Sequence, residues 1–186
     1  MSDIETPKSG GFNWLLLIPL VITLGLGTMA ALSFQISPED RSSLPSAFEG
    51  RPAPALDLPP LNPMAEGPIT ADLSKPGIKM VNFWASWCAP CRVEHPVLKE
   101  IARAGTPIIG VNYKDSAENA QSFLDELGDP FASVGTDENG RTAINWGLYG
   151  VPETFVIDGE GKVLLRHAGP ITRSIYEQRF APLLNP

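Results

Sequence analysis

Two cysteines, the only two in the chain, lie three positions apart in Trp87-Cys88-Ala89-Pro90-Cys91. Their surroundings constrain the fold more than any other stretch. Upstream, Lys79 to Ser86 is apolar and aromatic with few turn signals, which predicts a buried strand. Downstream, Arg92 to Ile101 predicts a helix, reaching from about 89 to 103. A strand, a Cys-x-x-Cys turn and a helix together form the setting for dithiol redox chemistry. A helix start offers unpaired N–H groups and a partial positive charge, so a thiolate placed there is stabilised and its pKa falls. Pro90 suits the first turn, where its missing N–H costs nothing. Cys88 is therefore expected to attack, and the less exposed Cys91 to resolve the mixed disulfide.

Other uses of the pair fit poorly. The loop between the cysteines is too short to constrain much of the unfolded chain. Zinc needs a second pair of ligands, and only His95 and His167 are available as histidines. Arg92 follows Cys91 where a haem-attachment motif would have histidine. A net charge of −7 argues against a nucleic-acid partner. We expect no metal and no bound cofactor, since the dithiol itself carries two electrons.

At 186 residues the chain has room for one domain and an appendage. Residues 1–13 form a short polar tail, expected in the cytoplasm. Residues 14–34 are mostly apolar and carry no charge. As a helix they would extend about 31 Å, close to the hydrocarbon thickness of a bilayer, and they present no polar face. We read them as an uncleaved transmembrane anchor, because a signal peptide would have a shorter apolar run and a more basic start. The basic residues Lys8 and Arg41 on either side orient it only weakly.

Residues 35–50 read as a Pro-containing linker, and 51–186 as the folded domain. Prolines 52, 54, 59, 60, 63, 68 and 76 forbid long helices before the core. Short strands are expected within 51–59 and at Ile69, with a turn of helix at 71–73. Thereafter the pattern predicts a strand over 107–113 and a helix over 116–127 capped by Ser116. On that helix Phe123, Leu124 and Leu127 form the buried stripe, with Asn119 or Ala120 outward. A strand within 131–136 and a short helix over 142–146 follow. Then come a hairpin of 154–157 with 162–166 across Asp158-Gly159-Glu160-Gly161, and a closing helix over 171–184.

The stretch Val81-Asn82-Phe83-Trp84-Ala85-Ser86-Trp87-Cys88-Ala89-Pro90-Cys91-Arg92 resembles the active-site segment of the thioredoxin superfamily. Gly150-Val151-Pro152-Glu153-Thr154-Phe155-Val156-Ile157-Asp158 resembles its cis-proline segment. With the apolar N-terminal run, the chain looks most like the membrane-anchored cytochrome c biogenesis thioredoxins, the CcmG/DsbE group. The resemblance implies an α/β, thioredoxin-like fold: a central mixed sheet flanked by helices, with an N-terminal transmembrane helix. It implies a cis bond before Pro152 beside the cysteines, with Val151 offering its backbone to a substrate segment and Trp87 flanking that surface.

One position departs from thioredoxin, which has an aspartate six residues before its first cysteine. Here Asn82 stands there. In the resembled group acidic residues occur at two other places, and Glu94 and Glu153 match them. If both lay near the cysteines, burial and mutual repulsion would raise at least one carboxyl pKa, and an ionised carboxylate could deprotonate Cys91. Pro96 is expected to kink the active-site helix, His95 to be a surface or capping residue, and Trp84 and Trp87 to be packing residues. Asn145, Trp146 and Tyr149 are open to either packing or a partner groove.

The expected activity is that of a thiol–disulfide oxidoreductase, working as a reductant in the periplasm from the bacterial inner membrane. The resemblance implies its client: the Cys-x-x-Cys-His cysteines of apocytochrome c, or a cytochrome c maturation thiol partner that handles them. It also implies an electron donor, a membrane thiol transporter of the DsbD/CcdA type. The rivals are an exported thioredoxin of the ResA/TlpA type with another client, a disulfide-donating oxidase, and a binding module for unfolded segments.

Overall fold

The structure is a computed structural model that describes residues 17–34 and 48–184. The chain divides into two units, residues 1–41 and 42–186. The first contains α1 (Ile18–Phe34), 17 residues without a charge. Thr23 and Thr28 turn their hydroxyls back onto the helix, donating to the carbonyls of Pro19 and Leu24 at 2.9 Å. Among the described residues no helix is long and apolar enough to cross a membrane. The expected tail, residues 14–16 of the expected span and most of the linker lie outside the described residues.

The second unit is built on five strands in the order β3-β2-β1-β4-β5. They are β1 (Lys79–Trp84), β2 (Ile108–Tyr113), β3 (Ser133–Asp137), β4 (Glu153–Ile157) and β5 (Val163–Ala168). β1, β2 and β3 run parallel, while β4 and β5 are antiparallel to their neighbours. β1 is central and buried along its whole length, as its near-continuous apolar sequence requires. The short helix α2 (Thr70–Leu73) precedes it. The parallel pairings need crossovers, supplied by α3 (Ala89–Arg103) and α4 (Ala117–Leu127). After α5 (Arg141–Asn145) and the hairpin, the chain closes through α6 (Arg173–Ile175), a π-helical turn (Tyr176–Phe180) and α7 (Ala181–Leu184). This is the expected thioredoxin-like mixed sheet.

Alternation along β1 separates two cores. Val81 and Phe83 pack on one face with Trp146, Phe155 and Ile157. Met80 and Trp84 face α3 and α4, with Leu98, Ile101 and Phe123. Gly110 on β2 shapes the second core. A Cβ there would meet the Phe131 ring at 2.9 Å, and Phe131 stacks on Trp84 with ring centres 5.5 Å apart.

Several expectations change in detail. Among the described residues before α2 there is no strand: Pro52 and Pro60 make only isolated bridges, to Lys162 and Gly135. Prolines there lack the N–H groups that a continuous ladder needs. Ile69 precedes α2 as its N-cap and is not a strand residue. Phe48 packs against the first core and Glu49 accepts from the Arg166 N–H, so contacts of this unit begin before residue 51. Ser116 caps α4 as expected, accepting from the Asn119 N–H at 3.2 Å. Ala120 is fully buried against Trp84 and Phe123, leaving Asn119 as the outward residue.

Candidate active site

Cys88 and Cys91 are joined in a disulfide with their Cα atoms 5.3 Å apart. Cys88 is the N-cap of α3, and its Sγ accepts from the Cys91 N–H at 3.1 Å. The same N–H also donates to the Cys88 carbonyl at 3.1 Å, so the sulfur shares a helix-start donor, a setting that favours a thiolate. The expected contrast in exposure is absent: Cys88 is 3% exposed and Cys91 2%. Both sulfurs belong to one packed cluster with Leu61, Trp84, Ala85 and Phe123, against which Val151 also lies. The two cysteines thus differ in their hydrogen bonds, and hardly in their access to solvent.

The turn ahead of them is held from β2. The Asp115 carboxylate accepts from the Ser86 N–H at 2.7 Å, from the Ser86 hydroxyl at 2.9 Å and from Asn112 Nδ2 at 3.1 Å. Trp87 is 59% exposed, with its indole N–H donating to the Lys114 carbonyl at 3.1 Å. The bond between Val151 and Pro152 is cis, and Pro152 is buried while Val151 is half-buried. Tyr149 is exposed, Asn145 is exposed, and Trp146 is a core residue donating to the Ala55 carbonyl. His95 is buried, not on the surface; its Nε2 bonds the Gly128 carbonyl at the end of α4. α3 continues through Pro96.

The two glutamates are separated, and this corrects the expectation of mutual repulsion. Glu94 lies on the α3 side of the sheet, where Asn82 Nδ2 donates to its Oε1 at 2.8 Å and the Ile171 N–H donates to its Oε2 at 2.9 Å. Glu153 pairs with Phe83 across β1 and β4 and so shares the opposite face. There its carboxylate is bonded by the Arg166 guanidinium and by the Tyr149 N–H at 3.1 Å. Arg166 also donates to the Gly147 carbonyl and lies under the Tyr149 ring, 4.5 Å from its centre. Burial pushes both carboxyls up, against the hydrogen bonds of Ile171 and Asn82 for Glu94 and against Arg166 for Glu153. Glu94 reaches about 7.

Sequence reasoning did not find Arg166, Asp115 or the Asn82–Glu94 bond. Arg166 lies opposite Phe155, diagonal to Glu153. A correct hairpin register would have placed that pair; no local motif could. Among the described residues no group of three or more His, Cys, Asp or Glu side chains is arranged to hold a metal ion.

The raised Glu94 carboxyl predicts a pH dependence of stability. The folded chain holds this proton up to about pH 7, whereas an unfolded carboxyl releases it near 4.5. Stability from this group is therefore full below about pH 4.5 and falls as pH rises through 7, by on the order of 3 kcal/mol. Glu94→Gln should flatten that decline. Urea midpoints at pH 5 and pH 8 measure it, and an equal decline in the variant would refute the assignment.

Comparison with known proteins places this geometry in context. A family model described as Redoxin matches residues 48–179. The chain is 46% identical over 171 residues to the thiol:disulfide interchange protein HelX of Rhodobacter capsulatus, covering 91% of this chain and 95% of that one. It is 38% identical over 172 residues to the thiol:disulfide interchange protein DsbE of Escherichia coli K12, covering 90% and 92%. Among solved structures it is similar to a Chlorobium tepidum protein described as a thiol:disulfide interchange protein DsbE. The TM-score is 0.64 at 29% identity, over 74% of this chain and 97% of the other.

Proposed function

This chain belongs to the redoxin family, among the thiol:disulfide interchange proteins named DsbE, HelX and CycY, and from that we propose that it is a membrane-tethered reductant of cytochrome c maturation. It is a thiol–disulfide oxidoreductase with a thioredoxin-like fold. The proposal adds its direction, client, place and residues. The observation that carries it is the Cys88 sulfur at the N-cap of α3, accepting from the Cys91 N–H, with a buried carboxyl one turn further along.

In this reading the reduced Cys88 thiolate attacks a client disulfide, releasing one client thiolate and leaving Cys88 joined to the other client sulfur. Cys91 gives its proton to the Glu94 carboxylate and attacks Cys88 Sγ. The second client sulfur leaves as a thiolate, and the Cys88–Cys91 disulfide of the structure results. Val151, Pro152 and Trp87 receive the client segment. The client is apocytochrome c, or a maturation partner, whose thiols must be reduced before haem is attached. A membrane thiol transporter of the DsbD/CcdA type returns two electrons to the pair. Residues 14–34, uncharged throughout, anchor the chain in the inner membrane with its catalytic domain in the periplasm.

Equilibration of the full chain against thiol buffers tests the direction. The expected potential lies well below the about −120 mV of a strong disulfide oxidant, toward the about −270 mV of thioredoxin. A value at the oxidising end would reverse the assigned electron flow. The proton step has its own test. Glu94→Gln should slow resolution of the mixed disulfide by roughly 10²-fold and remove an inflection near pH 7. Glu153→Gln should leave that inflection in place, because Glu153 is held by Arg166 on the other face. Wild-type profiles in the Glu94 variant would remove Glu94 from the mechanism.

A further inference from the structure

A narrow void, too small for a water molecule, is lined by Asn82, Trp84, Cys91, Glu94, His95, Leu98 and two phenylalanines. Two of the lining residues each carry a fully buried polar atom that makes no hydrogen bond: the Asn82 Oδ1 acceptor and the Trp84 Nε1–H donor. Native interiors rarely leave such groups unmatched, and each is a cost carried by the state that contains it. Neither side chain is free to escape. Asn82 Nδ2 is fixed between Glu94 Oε1 at 2.8 Å and Thr154 Oγ1 at 2.9 Å, which orients the amide. The Trp84 indole is clamped between Phe123 and Phe131, with ring centres at 5.0 and 5.5 Å. Of the other polar groups lining the void, His95 is committed to the Gly128 carbonyl and Glu94 to Asn82 and Ile171.

We propose that Asn82 Oδ1 and Trp84 Nε1–H form a seat for the Cys91 sulfur that is filled only when the disulfide opens. In the disulfide, Cys91 Sγ is bonded to Cys88 and has no proton to donate. Reduction adds two electrons and two protons to the pair, breaking the S–S bond and freeing Cys91 Sγ. As a thiol, it donates S–H to Asn82 Oδ1. Once its proton has passed to Glu94, the thiolate accepts from Trp84 Nε1–H. One donor and one acceptor thus serve both protonation states of the resolving cysteine, and both contacts favour the reduced protein over the oxidised one. Asn82 links the seat to the carboxylate that takes the proton. Here asparagine stands where thioredoxin has aspartate, with the acid moved to the helix.

The inference rests on Cys91 being the resolving cysteine, and not on the client or direction of electron flow. The test is indole NMR of the full chain in both redox states, with Trp84 assigned through Trp84→Phe. Trp87 and Trp146 serve as references, since their indole N–H groups already bond the Lys114 and Ala55 carbonyls. The Trp84 indole proton should move downfield on reduction, by more than the Trp146 proton, and the Asn82 side-chain carbonyl carbon should shift with it. Trp84→Phe should favour the disulfide about tenfold against a reference dithiol, equivalent to a potential about 30 mV more negative. A Trp84 indole that moves no more than that of Trp146, or a variant equilibrium within twofold of the parent, overturns the seat. An oxidising potential with a moving indole would instead overturn only the reductant reading.

Discussion

Cys88→Ser is expected to lower the rate of disulfide exchange by roughly 10³-fold or more, to the background of the assay. Cys91→Ser is expected to leave the first attack intact and to strand the client as a mixed disulfide. The argument is the asymmetry at the start of α3. The N-cap position gives Cys88 Sγ the Cys91 N–H at 3.1 Å. Reduction leaves that contact available to a Cys88 thiolate, and charge on the acceptor strengthens it. A serine hydroxyl could cap the helix as well as a cysteine does, so loss of exchange in Cys88→Ser would not come from loss of the helix. Cys91 is the group next to Glu94 and the void, placed to lose a proton to the protein interior. Stopped-flow exchange with a small disulfide, followed by mass spectrometry of quenched reactions, separates the two roles. Trapped adduct on Cys91 in the Cys88 variant, at the parent's rate, would invert the assignment. Exchange by both variants at the parent's rate would mean that either cysteine can attack, and would remove the asymmetry assigned to the pair.

The parts of this fold that were readable in the sequence were those whose cause is local. β1 follows from the apolar run that starts at Lys79, although the strand ends at Trp84, two residues short of the expected Ser86; α3 follows from a helix that starts at the cysteines, and Ser116 announces α4 by its capping chemistry. The Cys-x-x-Cys spacing carries its own geometry, whereas the cis bond before Pro152 was expected only from resemblance to the thioredoxin superfamily. Ala120 was ambiguous because a small side chain at the stripe's edge gives little hydropathy signal, and burial followed from the close approach of Trp84. The site's electrostatics were much less legible. Glu94 and Glu153 look equivalent in sequence, each close to a landmark residue. Only the pairing of β4 with β1 puts them on opposite faces of the sheet, so that one is satisfied by an amide and a backbone N–H, and the other by an arginine.

That separation gives the second large effect, a loss of stability of about 3–5 kcal/mol at neutral pH when Arg166 is replaced by methionine. Glu153 is fully buried and Arg166 8% exposed, so little solvent is available to replace the guanidinium. Removing it leaves a carboxylate with only backbone hydrogen bonds, from Tyr149 and Gly150, to hold its charge. It also removes the bond to the Gly147 carbonyl and the cation beneath Tyr149. The sign with pH is fixed by the carboxyl. Burial already holds the Glu153 pKa above its ordinary value, and loss of Arg166 raises it further. The folded variant would then hold a proton that the unfolded chain releases, so the deficit is present above the raised pKa and shrinks as pH falls toward the unfolded value. Glu153→Gln added to Arg166→Met should recover much of the loss at pH 7, because the buried charge has gone. Urea unfolding of the parent, the single variants and the double variant at pH 5 and pH 7.5 closes the cycle. If Arg166→Met unfolds at the parent's midpoint at both pH values, Glu153 is not carried as a charge in the folded protein. Its carboxyl would then be a neutral donor near Pro152, and the proton traffic assigned to Glu94 alone would have to be shared between the two faces of the sheet.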